Sequence, residues 1–123
     1  MNKTIEIDIF NREWYTVVVI GKEPYLKRAL QKYGYPKSAL EDGALHDLGS
    51  NGSQGLTFYA DGLPPIIILP VFPKTSKQVS TLAHEAVHAV NDIYEKIGEE
   101  DAANCHIFAV SVGTIVRAVL EKK

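Results

Sequence analysis

His84 and His88 lie four residues apart in the stretch HEAVH, and Glu85 directly follows the first of them. On an α-helix positions four apart share one face, so both imidazoles can reach a single point beyond it. A zinc ion takes nitrogen, sulfur or carboxylate ligands in tetrahedral array, and two histidines at this spacing supply half of one. Glu85 sits one step round the helix, too displaced to be a natural third ligand. It is well placed to take a proton from a water that a metal polarises. The chemistry open to such a set is metal-assisted hydrolysis, with Glu85 as general base. The plainer alternative is two solvent-facing histidines on an amphipathic helix.

This H-E-x-x-H order is the arrangement of zinc metalloproteases. With four histidines and nine glutamates in 123 positions, shuffling would produce it about once in a hundred sequences, so context has to add weight. A catalytic zinc site also needs a third protein ligand and an open position. Past Gly98 the chain offers Glu99, Glu100 and Asp101, then His106. Glu100 with Ala103 makes an E-x-x-A pattern whose small residue lets two helices approach, and Glu99 with Ala102 repeats it one step earlier. Ala103, Ile107 and Val110 are expected to share a buried stripe with Glu100, while Glu99 lies nearer His106. The expected order of third ligands is therefore Glu100, Glu99, His106. In the competing reading these acids only complement the positive end of a helix dipole. Tyr94, Tyr59 and His46 could donate to a developing oxyanion, although packing or loop chemistry accounts for each more simply. Cys105 and His106 are adjacent helix positions that do not face each other, so they make no nucleophile pair.

The elements that must position these groups follow from periodicity. TIEIDIF sets Ile5, Ile7 and Ile9 against Glu6 and Asp8, the period of a half-buried strand. After a polar turn, WYTVVVI reads as a second strand and completes a hairpin. Pro24 suits a helix's first turn, Leu26, Ala29, Leu30 and Tyr33 recur at helical spacing, and Gly34 lies just past the end. Residues 35–54 read as loop with a short helical turn from Ser38. GLTFYA and IIILPVF then read as two strands around Asp61-Gly62, and either GLTFYA or PIIIL could form a sheet edge. Thr75 and Gln78 match a capping box, opening a helix to about Ile97 that carries the histidines and offers Leu82, Ala83, Ala86, Val87, Val90 and Ile93 as a broad apolar side to bury. Gly98 breaks it, and a last helix follows. The fold class expected is α+β: a mostly antiparallel sheet of about four strands, with helices packed on one face, among them the HEAVH helix and the C-terminal helix.

Composition bounds the setting. One domain spanning 1–123 is the economical division, and 46% hydrophobic with 23% charged residues is ordinary for a globular chain. A net charge of −2 argues against nucleic-acid binding, with Lys22, Lys27, Arg28 and Lys32 read as the wet side of a helix. A single cysteine permits no intramolecular disulfide, the N-terminus does not resemble a signal peptide, and no apolar run approaches the ~20 residues of a membrane span. The expected setting is therefore intracellular, with no membrane partner.

The stretch TLAHEAVHAVNDIYEKIGEEDAANCHIFAV resembles small HExxH proteins of tailed bacteriophages and prophages. Those proteins place a G-x-T/S-x-F/Y-like strand and an apolar strand ahead of HE..HAVN, then an acidic D/E-E-x-x-A-Y helix. The match runs through GLTFYADGLPPIIILP, His84, Glu85, His88 and Asn91, then Glu99, Glu100 and Ala103. It departs at Asn104, where an aromatic is expected, and in the short spacing from His88 to the acids. The resemblance covers roughly the C-terminal two-thirds of the chain. More broadly the chain is similar to gluzincin-type peptidases, whose third ligand is a glutamate on the next helix. The resemblance implies a zincin-like fold, a zinc cofactor, a peptide or protein substrate and a place in the bacterial host cytoplasm or with the virion. The alternative is a non-enzymatic phage-related assembly or interaction protein with a structural or vestigial metal site, for which the small size speaks.

Overall fold

A computed structural model describes residues 2–9, 14–40, 45, 48, 54–98 and 105–122, the side chains of residues 39, 40, 105 and 106 excepted. Strand β1 (Lys3–Ile9) buries Ile5, Ile7 and Ile9 and exposes Glu6 and Asp8, as its alternation dictates. It pairs antiparallel with β2 (Trp14–Ile20), with Ile9 opposite Trp14 and Lys3 opposite Ile20. Helix α1 (Glu23–Lys32) has proline in its first turn, turns Leu26, Ala29 and Leu30 inward, and is followed by Gly34 at φ +100°. Lys22, Arg28 and Lys32 stay exposed, and Lys27 pairs with Glu23 at 2.9 Å, so the basic cluster is the wet side of this helix. A single 3-10 turn covers Lys37–Leu40.

Strands β3 (Leu56–Phe58) and β4 (Ile66–Leu69) pair antiparallel. Between them Leu63 N–H donates to Ala60 O at 3.2 Å, and Gly62 takes a φ of +77° that a side chain would resist. The sheet order is β1-β2-β4-β3. Its outer pairings are antiparallel as expected, but β2 and β4 run parallel at the centre, which makes the sheet mixed. The apolar runs explain that pairing. Val17–Ile20 and Ile66–Leu69 are buried along their whole length, the signature of parallel neighbours covered on both faces rather than of a sheet with one wet side.

Both faces are indeed covered. Val18, Ile20, Ile67 and Leu69 meet α2 (Ser76–Ile97) and α3 (Cys105–Leu120) together with the β1 isoleucines. Val17, Val19, Ile66 and Ile68 meet Leu26, Ala29 and Leu30 of α1 on the other side. The expectation of helices on one face therefore holds for α2 and α3 and fails for α1, because strands apolar on both sides need two covers.

Helix α2 starts on the capping box: Thr75 Oγ1 accepts from Gln78 N at 3.1 Å, and Gln78 Oε1 accepts from Thr75 N at 3.1 Å. It stops at Gly98, whose φ of +79° is left-handed. Helix α3 lies beside it, with Phe108 edge-on to Tyr94 at 5.2 Å between ring centroids. Its inward stripe is Phe108, Ser111, Ile115 and Val119, whereas Ile107 and Val110 are 47% and 52% exposed. The stripe expected through Ile107 and Val110 is thus displaced by about one residue, since Phe108 is the side chain that fills the gap against Tyr94. Val87, expected on the apolar side of α2, is exposed as well. Among the described residues no helix is long and apolar enough to cross a membrane.

Candidate metal centre

The three residues of HEAVH divide between solvent and core. His84 and His88 are exposed on the outer side of α2, their rings nearly perpendicular at 79° with centroids 4.9 Å apart. Their Nε2 atoms are 3.3 Å apart. Without a metal, one ring's N–H can donate to the bare nitrogen of the other. Two nitrogens bound to one tetrahedral zinc at roughly 2.0–2.1 Å would stand about 3.3–3.4 Å apart. The separation of the two nitrogens is therefore that of two corners of a zinc shell.

Glu85 turns toward strand β3 and is 8% exposed. A carboxylate so buried needs a partner, and β3 supplies one: Thr57 Oγ1 donates to Glu85 Oε1 at 2.8 Å. The same hydroxyl lies 3.1 Å from the Glu85 main-chain oxygen, so it sits over the helix backbone as well. A charged acceptor at the shorter distance takes the proton in preference to a carbonyl.

Gly55 explains how strand and helix come this close. A methyl group there would sit 3.0 Å from Thr81 Cγ2, 3.1 Å from Leu69 Cδ2 and 3.2 Å from Glu85 Cγ. The missing side chain at Gly55 and the hydroxyl at Thr57 together form the seat of the carboxylate. Sequence reasoning passed over both. The signal was present in GLTF, where a period of two places Gly55 and Thr57 on the same strand face.

An open cleft of about 450 Å³ runs from His84 and Glu85 along α2 past Thr81, Ser80 and Lys77, with Gln54 and Gly55 as its other wall. Strand β3 is a sheet edge beside it, while β4 is interior. Of the two segments that could have formed an edge, it is GLTFYA that does. The cleft thus joins an exposed histidine, a buried carboxylate and an edge strand.

Other expected participants fall elsewhere. Tyr94 is buried in the core against Phe108, and Tyr59 is 58% exposed beyond the end of β3. Asn91, the last residue of HAVN, donates to Glu95 Oε1 at 3.3 Å on the exposed side of α2. Glu99, Glu100 and His46 lie outside the described residues, and His106 opens α3 with its side chain outside them too. Among the described residues no three His, Cys, Asp or Glu side chains converge on a metal position. The exposure of Ile107 and Val110 also removes the helix-phase argument that ranked Glu100 above Glu99.

Comparison with protein-family models, curated proteins and solved structures finds no match to this chain.

Proposed function

We propose that the chain is a zinc-dependent hydrolase, a small metallopeptidase of zincin-like architecture. The observation that carries this reading is the pairing of two roles on one helical turn. His84 and His88 present Nε2 atoms 3.3 Å apart to solvent, and Glu85 holds a buried carboxylate at the edge of the same cleft. When bound, zinc supplies a Lewis acid that brings the pKa of a water molecule down toward about 7. His84 and His88 would hold the ion, with Glu100, or else Glu99 or His106, from the segment after Gly98 completing the set. Glu85 receives the proton from the attacking water and passes it to the leaving amine.

An extended peptide fits this surface because β3 is an edge. Among the described residues no strand pairs with its outer side, and adding a strand to such an edge is a mode by which many proteins read peptides. The bond to be cut then lies across the cleft, over Glu85. A phage or prophage origin, with action in the host cytoplasm or in the particle, belongs to the same proposal and rests on the sequence resemblance.

The decisive test is cleavage of an unstructured protein substrate by zinc-loaded chain, alongside Glu85→Gln and His88→Ala. The expected result is activity in the parent, loss of at least about a thousandfold in Glu85→Gln with zinc retained, and loss of zinc in His88→Ala. If chelation lowers stability while parent and Glu85→Gln are equally inert, the metal site is structural and the hydrolase reading falls.

A further inference from the structure

The general base in this site is held by a residue of the sheet, and that residue has no part in binding metal. We propose that Thr57 is a positioning residue: its hydroxyl fixes the rotamer of Glu85 and so couples edge strand β3 to the chemistry. The inference rests on the hydrolase reading for its catalytic consequence and on geometry alone for the positioning itself.

Three observations converge on Thr57. Its Oγ1 is 2.8 Å from Glu85 Oε1, a well-formed O–H···O hydrogen bond. Threonine is β-branched and stiff at χ1, so a strand that is itself fixed aims the hydroxyl in one direction. Strand β3 is fixed by pairing Thr57 with Ile67 and Phe58 with Ile66 of the buried β4. Against this anchor stands a glutamate, whose long side chain has several rotamers to lose. On the same face Gly55, directly before the strand, lets Glu85 lie close, since a Cβ there would stand 3.2 Å from Glu85 Cγ. Glu85 is therefore seated against β3 and the glycine that precedes it, with Thr57 as its donor.

The arrangement separates two tasks. His84 and His88 are exposed on α2 and bond to each other, while the Thr57 hydroxyl bonds only to Glu85, so altering Thr57 is expected to leave their approach to a metal intact. Only the direction of the proton-accepting oxygen changes. General-base catalysis depends on that direction, since the acceptor must lie within hydrogen-bond reach of the proton it takes.

Thr57→Val keeps shape and β-propensity while removing the donor, and Thr57→Ser restores the donor in a smaller side chain. In zinc-loaded protein, Thr57→Val is expected to lower kcat about 10- to 100-fold, with KM and zinc affinity within about twofold of the parent. Thr57→Ser is expected to recover most of the loss. Independently of activity, NMR side-chain couplings of Glu85 in metal-free protein should report one χ1/χ2 rotamer in the parent and in Thr57→Ser, and rotamer averaging in Thr57→Val. Parent kcat in Thr57→Val, or a single Glu85 rotamer in that variant, overturns the proposal. A parent that cleaves nothing defeats the hydrolase reading instead, and the couplings then decide the positioning role by themselves.

Discussion

Glu85 shows what one buried charge asks of its neighbours. A carboxylate 8% exposed on a helix would be costly without a donor, and the fold answers with a threonine hydroxyl from one position and a missing side chain from another two residues away. This predicts that Gly55→Ala, conservative by composition, is not conservative here. The added methyl meets Thr81, Leu69 and Glu85 at 3.0–3.2 Å, so the helix or the strand must shift by tenths of an ångström. Overpacking of this kind costs about 1–3 kcal/mol, to be read as a lower urea midpoint in equilibrium unfolding. Cleavage should fall by more than the loss of folded protein explains, because Glu85 is the side chain displaced. HEAVH itself was legible from spacing, since two histidines on one helical face need no tertiary information. The seat of Glu85 was not: which strand lies against which helix face is decided by the sheet order, and no local pattern carries that.

Along α2 the ends were readable and the middle only partly so. The Thr75–Gln78 box and the left-handed Gly98 are local devices, written in a few residues and found where the chain announces them. The apolar side was misread at Val87, and that of α3 at Ile107 and Val110, because a broad hydrophobic surface permits several phases and packing against Tyr94 selects one. Near its C-terminal end α2 carries a second buried carboxylate, Asp92. Lys96 Nζ lies 2.6 Å from Asp92 Oδ2, with side-chain exposures of 14% and 8%. The contact is ionic, and Oδ2 takes no aligned hydrogen bond from it. The same ammonium donates to Leu63 O, tying the helix to the turn between β3 and β4. Lys96→Met is expected to destabilise by about 3 kcal/mol, since it leaves a buried charge alone. Adding Asp92→Asn should restore much of that loss. Thermal or urea unfolding of the single and double variants checks both, and a harmless Lys96→Met would refute the account of this pair.

For the molecule as a whole, the class was legible and the layering was not. Alternation in TIEIDIF and unbroken apolarity in VVVI and IIIL are both strand signals, but only the second implies burial on two faces, and it was that difference which placed α1 opposite α2 and α3. The face covered by α1 also holds two tyrosines whose raised pKa values favour the folded state below the ordinary tyrosine range. Burial raises the Tyr35 hydroxyl well above the ordinary tyrosine range, with Asp92 adding to the effect. That hydroxyl donates to Pro64 O at 2.8 Å, with Phe58 O at 3.1 Å also within reach. Burial likewise raises Tyr33, whose hydroxyl donates to Glu6, and the carboxylate adds to the shift. A folded pKa above the unfolded one stabilises fully below the unfolded value of about 10 and is lost as pH climbs from there toward the folded pKa. The urea midpoint should therefore hold on this account up to about pH 10 and fall beyond it, and Tyr35→Phe should show a shallower fall between pH 10 and 11.5.

Whether His84 and His88 are two ligands of one zinc ion can be read from X-ray absorption at the zinc edge of the loaded protein. One zinc per chain is expected, with two imidazole nitrogens at about 2.0–2.1 Å among its ligands, and the loss of one imidazole from the shell in His84→Ala or His88→Ala. A chain that takes up no zinc, or a zinc shell that neither substitution alters, would contradict that assignment.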